Sequence, residues 1–196
     1  LRNLRNIVDE MHESGAVQIA GVFGPEHGFR GTAQAGGSEG TFVDERTGLT
    51  VYDAYGANVA KMTELFTTAD VETVVFDIQD VGSRFYTYIW TMWTAMQAAV
   101  ATEKRFVVLD RPNPVGGTAR GPMMTAAYTS GVGAREIVQQ HGMSVGELAR
   151  FFDGEFLEEH ADGRLAQLDV VQVSGWRRRT LYADTGLDFV LPSPNM

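Results

Sequence analysis

The chain has 196 residues, 44% of them hydrophobic, and a net charge of −9. That composition suits a packed globular core and excludes global disorder, while the acidity argues against nucleic acid, which is bound by clustered Lys and Arg; Arg177-Arg178-Arg179 is the one basic run. The absence of cysteine excludes thiolate metal sites, a Cys nucleophile and disulfides, and no apolar run approaches the ~20 residues of a membrane span.

In chain order, Leu1, Leu4, Val8 and Met11 keep helical spacing, with Gly15 as a stop. Val17–Phe23 reads as the first strand. Residues 24–51 are rich in Gly, Thr and charge, a long loop of the kind that often carries function. Asn58–Thr67 reads as a helix with Val59, Met62, Leu65 and Phe66 on one face, and Val71–Phe76 as the second strand. Phe85–Lys104 is the strongest helix, with Phe85, Ile89, Met92, Trp93, Met96 and Val100 on one stripe, followed by a third strand, Phe106–Leu109. Strand, helix, strand, helix, strand at these spacings is the signature of a parallel α/β sheet. Beyond Gly117 the pattern weakens; Ser144–Phe152 reads as a helix with a capping box from Ser144 and Glu147, and Leu168–Val173 as a strand. A domain boundary is expected near 120–130. The start at Leu1 without Met and the loop-like end at Leu191–Met196 suggest a piece of a longer protein.

Each of the three expected strands runs into a cluster of polar and turn-forming residues: Gly24–Gly31, Asp77–Arg84 and Asp110–Gly117. Ligand sites of α/β sheets form just past the carboxyl ends of the strands. In the first cluster Glu26 and His27 stand between Gly24 and Gly28. A carboxylate beside an imidazole suits acid–base work, although such a pair in isolation reads equally as a surface acid with a packed histidine beneath. The second cluster offers Asp77, Gln79, Asp80 and Arg84, with Tyr86 and Tyr88 close behind. These could hydrogen-bond a polyhydroxylated ligand and give its ring an apolar face; they could also anchor a loop and pack a helix. In the third, Asp110, Arg111 and Asn113 sit on a loop stiffened by Pro112 and Pro114, where Arg111 could clamp a carboxylate or form a salt-bridged turn with Asp110. His141 precedes Gly142 and a helix start.

Gly36-Gly37-Ser38-Glu39-Gly40 fits G-x-S-x-G but lacks the strand and helix of a nucleophile elbow. No phosphate-binding glycine loop is present. The histidines, at 12, 27, 141 and 160, form no zinc motif, so neither a metal nor a cofactor is expected. Asp77, Asp80 and Asp110 could nevertheless hold Mg²⁺ in a rival, metal-dependent hydrolase.

The blocks Phe23–Gly31, Asp77–Tyr88 and Leu109–Pro114, extended by His141–Ala149 and Pro192–Met196, resemble the signature blocks of the exo-β-N-acetylmuramidase family, DUF1343. The resemblance implies a Rossmann-like parallel sheet with helices on both faces over residues 1–125, lacking its first strand. It implies the start of a smaller α+β domain over 126–196, with the site in the cleft between the two domains. It further implies a glycoside hydrolase that releases N-acetylmuramic acid from the non-reducing end of peptidoglycan fragments, outside the cell or in the periplasm. On that reading Glu26 is the general acid and His27 tunes or orients it. Asp77, Asp80 and Asp110 are the candidates for the second carboxylate. Arg84 or Arg111 would bind the lactyl carboxylate, and Tyr86, Tyr88 and Asn113 the hydroxyls or the acetamido group. Arg30, Gln79 and His141 complete the substrate-binding candidates. The alternative function is a non-catalytic saccharide-binding module.

Overall fold

A computed structural model describes residues 4–193. The first helix, α1 (Ile7–Ser14), is capped where the Asn6 side chain accepts from Val8 N at 2.9 Å, and it ends at Gly15 with φ 61°. Its buried residue is Asp9, not the apolar stripe the spacing predicts. Leu4 is exposed, and Leu1 lies outside the described residues.

Strand β1 (Val22–Gly24) is shorter than expected, and Val17 is 51% exposed. The segment read as a loop contains β2 (Phe42–Val43), and β3 (Thr50–Asp53) closes a hairpin with it. β3 also pairs in parallel with β1, in the register Val22↔Val51 to Gly24↔Asp53. The first motif strand therefore takes β3 as its neighbour and joins a sheet of order β1-β3-β2. The expectation of one sheet through all three motif strands is corrected here.

Helix α2 (Val59–Thr68) starts where Asn58 accepts from Lys61 N, and it buries Met62, Leu65 and Phe66. β4 (Thr73–Phe76) leads through the second motif loop to α3 (Tyr88–Ala101), which starts three residues later than its apolar pattern suggests. Phe85 belongs to the preceding turn and is exposed. β5 (Arg105–Leu109) pairs in parallel with β4, and β8 (Leu168–Val171) pairs in parallel with β5. Between them lie the antiparallel pair β6 (Arg120–Met123) and β7 (Val138–Gln140), and then α4 (Val145–Phe152). α4 carries the full Ser144–Glu147 capping box and continues through a π-helical stretch, Asp153–Leu157.

The architecture is thus mixed α/β, with a small all-parallel sheet, β4-β5-β8, flanked by helices. α3 is buried around most of its circumference, which marks a central helix. Trp90 stacks on Phe152 at 5.7 Å, and Trp93 meets the same ring edge-on. Each such large apolar side chain contributes about 1.5–3 kcal/mol on burial. The core runs without a break from Ala54 to Leu165, so residues on both sides of position 125 share it. Alternation in β4 buries Val74 and Phe76 and leaves Val75 48% exposed on the opposite face.

Candidate functional site

The first motif loop turns sharply after β1. Gly28 N donates to Pro25 O at 2.9 Å, and His27 and Gly28 both take positive φ, 69° and 77°. A left-handed conformation is strained for histidine. The structure holds it with two bonds to one residue: Ala33 N donates to His27 O, and His27 Nδ1 lies 3.0 Å from Ala33 O. A carbonyl can only accept, so Nδ1 carries the proton. The buried imidazole therefore closes the loop, and among the described residues no hydrogen bond joins it to the Glu26 side chain.

Glu26 is half-buried. Its Oε2 accepts from Thr87 Oγ1 at 2.7 Å and its Oε1 from Gly36 N at 3.3 Å. Tyr88 Oη donates to Pro192 O at 2.7 Å and stands 3.3 Å from Glu26 O. The first motif is thus fixed against the start of α3, and residues 192–193 lie against the same corner. Burial, Tyr86 and Glu26 together raise Tyr88, which stays a neutral hydroxyl.

Behind this loop, Arg30 bonds two buried aspartates. Nη1 donates to Asp9 Oδ2 at 3.0 Å, and Nε and Nη2 donate to Asp44 at 3.3 and 2.8 Å. Arg46 adds a 2.7 Å bond to Asp9. Asp9 Oδ1 makes no hydrogen bond but lies 2.9 Å from Arg30 Nη2. The hydrogen bonds from Arg30 hold both carboxyls below their ordinary range, against the opposing effect of burial. Arg30, expected as a substrate ligand, ties α1, the motif loop and the β2–β3 hairpin together.

The second and third loops are joined at the carboxyl ends of β4 and β5. Arg111 donates through Nε and Nη2 to Asp77 Oδ1 at 2.9 and 2.6 Å. Burial still wins over this ion pair and raises Asp77. Gln79 Nε2 donates to Pro112 O, and Gly82, at φ 84°, packs so closely on Asn113 that a Cβ would overlap its Oδ1. Asn113 Nδ2 donates to Met143 O, while Asp110 Oδ1 accepts from Gly146 N at 2.8 Å and anchors the start of α4. Arg84 Nη1 donates to the carbonyls of Pro122 and Ile137. Asp77, Asp110, Arg84, Arg111 and Asn113 thus spend hydrogen bonds on the scaffold. Among the described residues no group of three or more acidic or histidine side chains could hold a metal ion. The three aspartates of the rival Mg²⁺ reading each face a different partner.

Asp80 differs from the other two. It is 4% exposed, and its Oδ2 accepts from Gly82 N at 2.7 Å and from His141 Nε2 at 2.9 Å. Met143 N donates to His141 Nδ1 at 3.2 Å, which fixes the proton on Nε2. Asp80 Oδ1 is buried with no hydrogen-bond partner among the described residues, while the buried hydroxyl of Tyr86 has the Ser193 side chain as its partner. An unanswered buried polar group costs roughly 1–3 kcal/mol. Burial raises Tyr86; Ser193 lies beside its hydroxyl and opposes the shift, while Glu26 and Asp80 add to it. Tyr86 and Tyr88 meet edge to face at 5.2 Å. Glu26, Thr87, Tyr86 and Tyr88 therefore form one polar corner with an aromatic wall. Thr87 and Ser193 were not among the residues expected from sequence. Thr87 is 61 positions from Glu26, and nothing local in the sequence connects them.

A family model described as "Exo-beta-N-acetylmuramidase NamZ, N-terminal" matches residues 1–196. The chain is 46% identical over 195 residues to the peptidoglycan β-N-acetylmuramidase NamZ of Bacillus subtilis (strain 168), covering 99% of this chain and 45% of that protein. Crystal structures of two DUF1343 family proteins from Bacteroides fragilis NCTC 9343 superpose with TM-scores of 0.85 and 0.73, at 38% and 32% identity. These matches cover 98% and 91% of this chain, and 47% and 45% of the two proteins. The chain spans about half the length of the relatives it matches. Among the described residues no helix is long and apolar enough to cross a membrane.

Proposed function

The chain belongs to the family of exo-β-N-acetylmuramidase NamZ N-terminal domains, and on that premise we propose that the protein hydrolyses the glycosidic bond after a terminal N-acetylmuramic acid of peptidoglycan fragments. The observation that carries this reading is Glu26. It sits just past the carboxyl end of a parallel strand, half-buried, with one oxygen held by Thr87 and the other by Gly36. A carboxyl group so oriented can deliver a proton to the departing glycosidic oxygen, the first requirement of glycoside hydrolysis. Of the three aspartates considered as its partner, Asp80 is the one whose charge reaches the same tyrosine as that of Glu26.

The finer architecture supports the same assignment. β4, β5 and β8 are joined by crossovers with their loops at one edge, the Rossmann-like arrangement in which ligands lie outside the carboxyl ends of the strands. The corner at Glu26 is one wall of a cleft, and the second wall comes from the part of the relatives beyond this match. The proposed substrate is a cell-wall saccharide, and the proposed compartment is extracellular or periplasmic.

The test compares the full-length protein with its Glu26→Gln variant on a natural muramoyl disaccharide and on an aryl glycoside with a good leaving group. Loss of the proton donor should lower kcat on the disaccharide by at least ~10²-fold and leave most activity on the aryl glycoside. Wild-type rates on the disaccharide would remove Glu26 from the mechanism; binding without turnover by the wild type would make the protein a saccharide-binding module.

A further inference from the structure

The turn that carries the second motif into α3 borders a cavity of about 260 Å³, lined by Ser83, Phe85, Arg120, Gly121, Gln139 and Gln140. The site assigned above uses none of these residues. Long-range pairing builds the cavity. Arg84 N donates to Gln139 O at 2.9 Å and Ser83 bridges Gln140, so the motif loop is laid against β7. Gln140 in turn faces Arg120 of β6. Tyr86 N donates to Ser83 O, and the next residue, Thr87, holds Glu26. The cavity therefore lies one turn of chain from the proposed proton donor.

Its lining has a definite chemistry. Phe85, which the apolar pattern assigns to the helix core, is instead 52% exposed at the cavity. An exposed ring offers a face to the C–H side of a pyranose. Ser83 and Gln139 bring a hydroxyl and an amide for its polar groups. Arg120 is the one charged residue of the lining; it is exposed, and no acid among the described residues pairs with it. The arginines of the motif loops are already bonded within the protein, Arg30 to Asp9 and Asp44, Arg84 to two carbonyls and Arg111 to Asp77. In a chain of net charge −9, an unopposed guanidinium beside a sugar-binding wall selects an anionic saccharide.

We infer that this cavity receives the lactyl group of muramic acid, with Arg120 bonding the carboxylate and Phe85 packing on the sugar ring. This rests on the glycosidase reading above and names the group by which the site tells muramic acid from glucosamine. A guanidinium grips a carboxylate through two parallel N–H bonds. Glucosamine lacks the lactyl ether and presents no anion to Arg120.

The experiment measures kcat/KM of the full-length protein on two muramoyl disaccharides that differ only in the lactyl group, free acid against carboxamide. Wild type should prefer the acid. Arg120→Gln should lose at least ~10-fold on the acid and under ~3-fold on the amide, since a hydrogen bond to a charged group is worth more than one to a neutral group. Arg105→Gln makes the same change in net charge at the start of β5 and should alter neither rate. Phe85→Ala should lose roughly 2–10-fold on both substrates alike. Thermal melting is the folding control. If Arg120→Gln fails to fold, the exposed Gln139→Glu decides: a carboxylate placed in the cavity should depress the acid and spare the amide. A wild type without preference for the acid, equal losses on both substrates in Arg120→Gln, or a matching loss in Arg105→Gln overturns the inference. If wild type turns over neither substrate, the hydrolase reading fails and the cavity is judged by calorimetric titration with N-acetylmuramic acid and its carboxamide. An Arg120→Gln variant that discriminates between these two as wild type does would then overturn it.

Discussion

Two buried aspartates flank the first motif loop, and they are treated in opposite ways. Asp9, on its far side, is 2% exposed and faces two guanidinium groups, Arg30 and Arg46. Asp80 is nearly as buried, yet among the described residues its partners are one backbone N–H and a histidine, and its Oδ1 makes no hydrogen bond. Burying a charge is tolerable when it is paired and hydrogen-bonded. Asp9 is thus balanced by two guanidinium groups, and Asp80 by a histidine and a backbone N–H. The difference lies in counter-charge, not in depth of burial.

The comparison is broken most severely at Arg30. Arg30→Met strips Asp44 of its cation and leaves Asp9 with only the exposed Arg46. Removing one partner of a buried pair costs roughly 3–5 kcal/mol, and urea unfolding of the full-length protein should show a loss of about 3 kcal/mol. A loss below ~1 kcal/mol would mean that the cluster is hydrated and is no scaffold.

Acid should reveal the same cluster. Asp9 and Asp44 are held below the ordinary carboxylate range, chiefly by Arg30, so their ionised forms favour the folded state. That stability is complete above about pH 4 and is lost as pH falls through this range toward the depressed folded values. Asp77 runs the other way: burial raises it despite Arg111, so its contribution declines as pH climbs from about 4 through the raised value. Wild type should accordingly lose more stability between pH 5 and 2 than Arg30→Met does. Parallel pH profiles of urea midpoints for the two proteins would refute the linkage.

A smaller effect is expected at Gly28, between scaffold and site. Its φ of 77° is left-handed, and a Cβ would overlap the Glu39 carboxylate, which accepts from Phe29 N and Thr32. Gly28→Ala should cost about 1–2 kcal/mol from backbone strain, because the flexible Glu39 can swing aside. A melting temperature equal to that of wild type would show that the loop relaxes freely.

What was legible in the sequence was local. Asn58, Gly15 and the Ser144–Glu147 pair announce helix ends because a cap acts within three or four residues. The polar clusters after the motif strands were visible because strand ends and turn residues are neighbours in the chain. The β2–β3 hairpin was hidden, since Phe42 and Val51 are joined by an irregular loop with no tight-turn pair. The burial of Asp9 was not legible because its partners are 21 and 37 residues away. Arg30 and Arg84 looked like ligand clamps because the sequence does not reveal that aspartates and carbonyls already hold them. Residue type marked where the site lies, and long-range partners decided which members remained open to a ligand.

The smallest effect tests whether the site side is as ordered as the scaffold side. Thr87 stands at the N-terminus of α3 and its hydroxyl makes no capping bond; its partner is Glu26 Oε2 at 2.7 Å. Thr87→Val keeps the shape and the backbone bonds and removes only that contact. Because the helix loses no cap, the melting temperature should hardly change. Freed on one side, Glu26 would spend less time aimed at the leaving oxygen, so kcat on the muramoyl disaccharide should fall while KM stays near wild type. One hydrogen bond of about 1 kcal/mol corresponds to roughly a fivefold loss. A double-mutant cycle isolates the route. If Thr87 acts through Glu26, Thr87→Val should add little in a Glu26→Gln background. A full fivefold loss in that background would assign Thr87 a contact of its own with the substrate and leave Glu26 held by the loop alone.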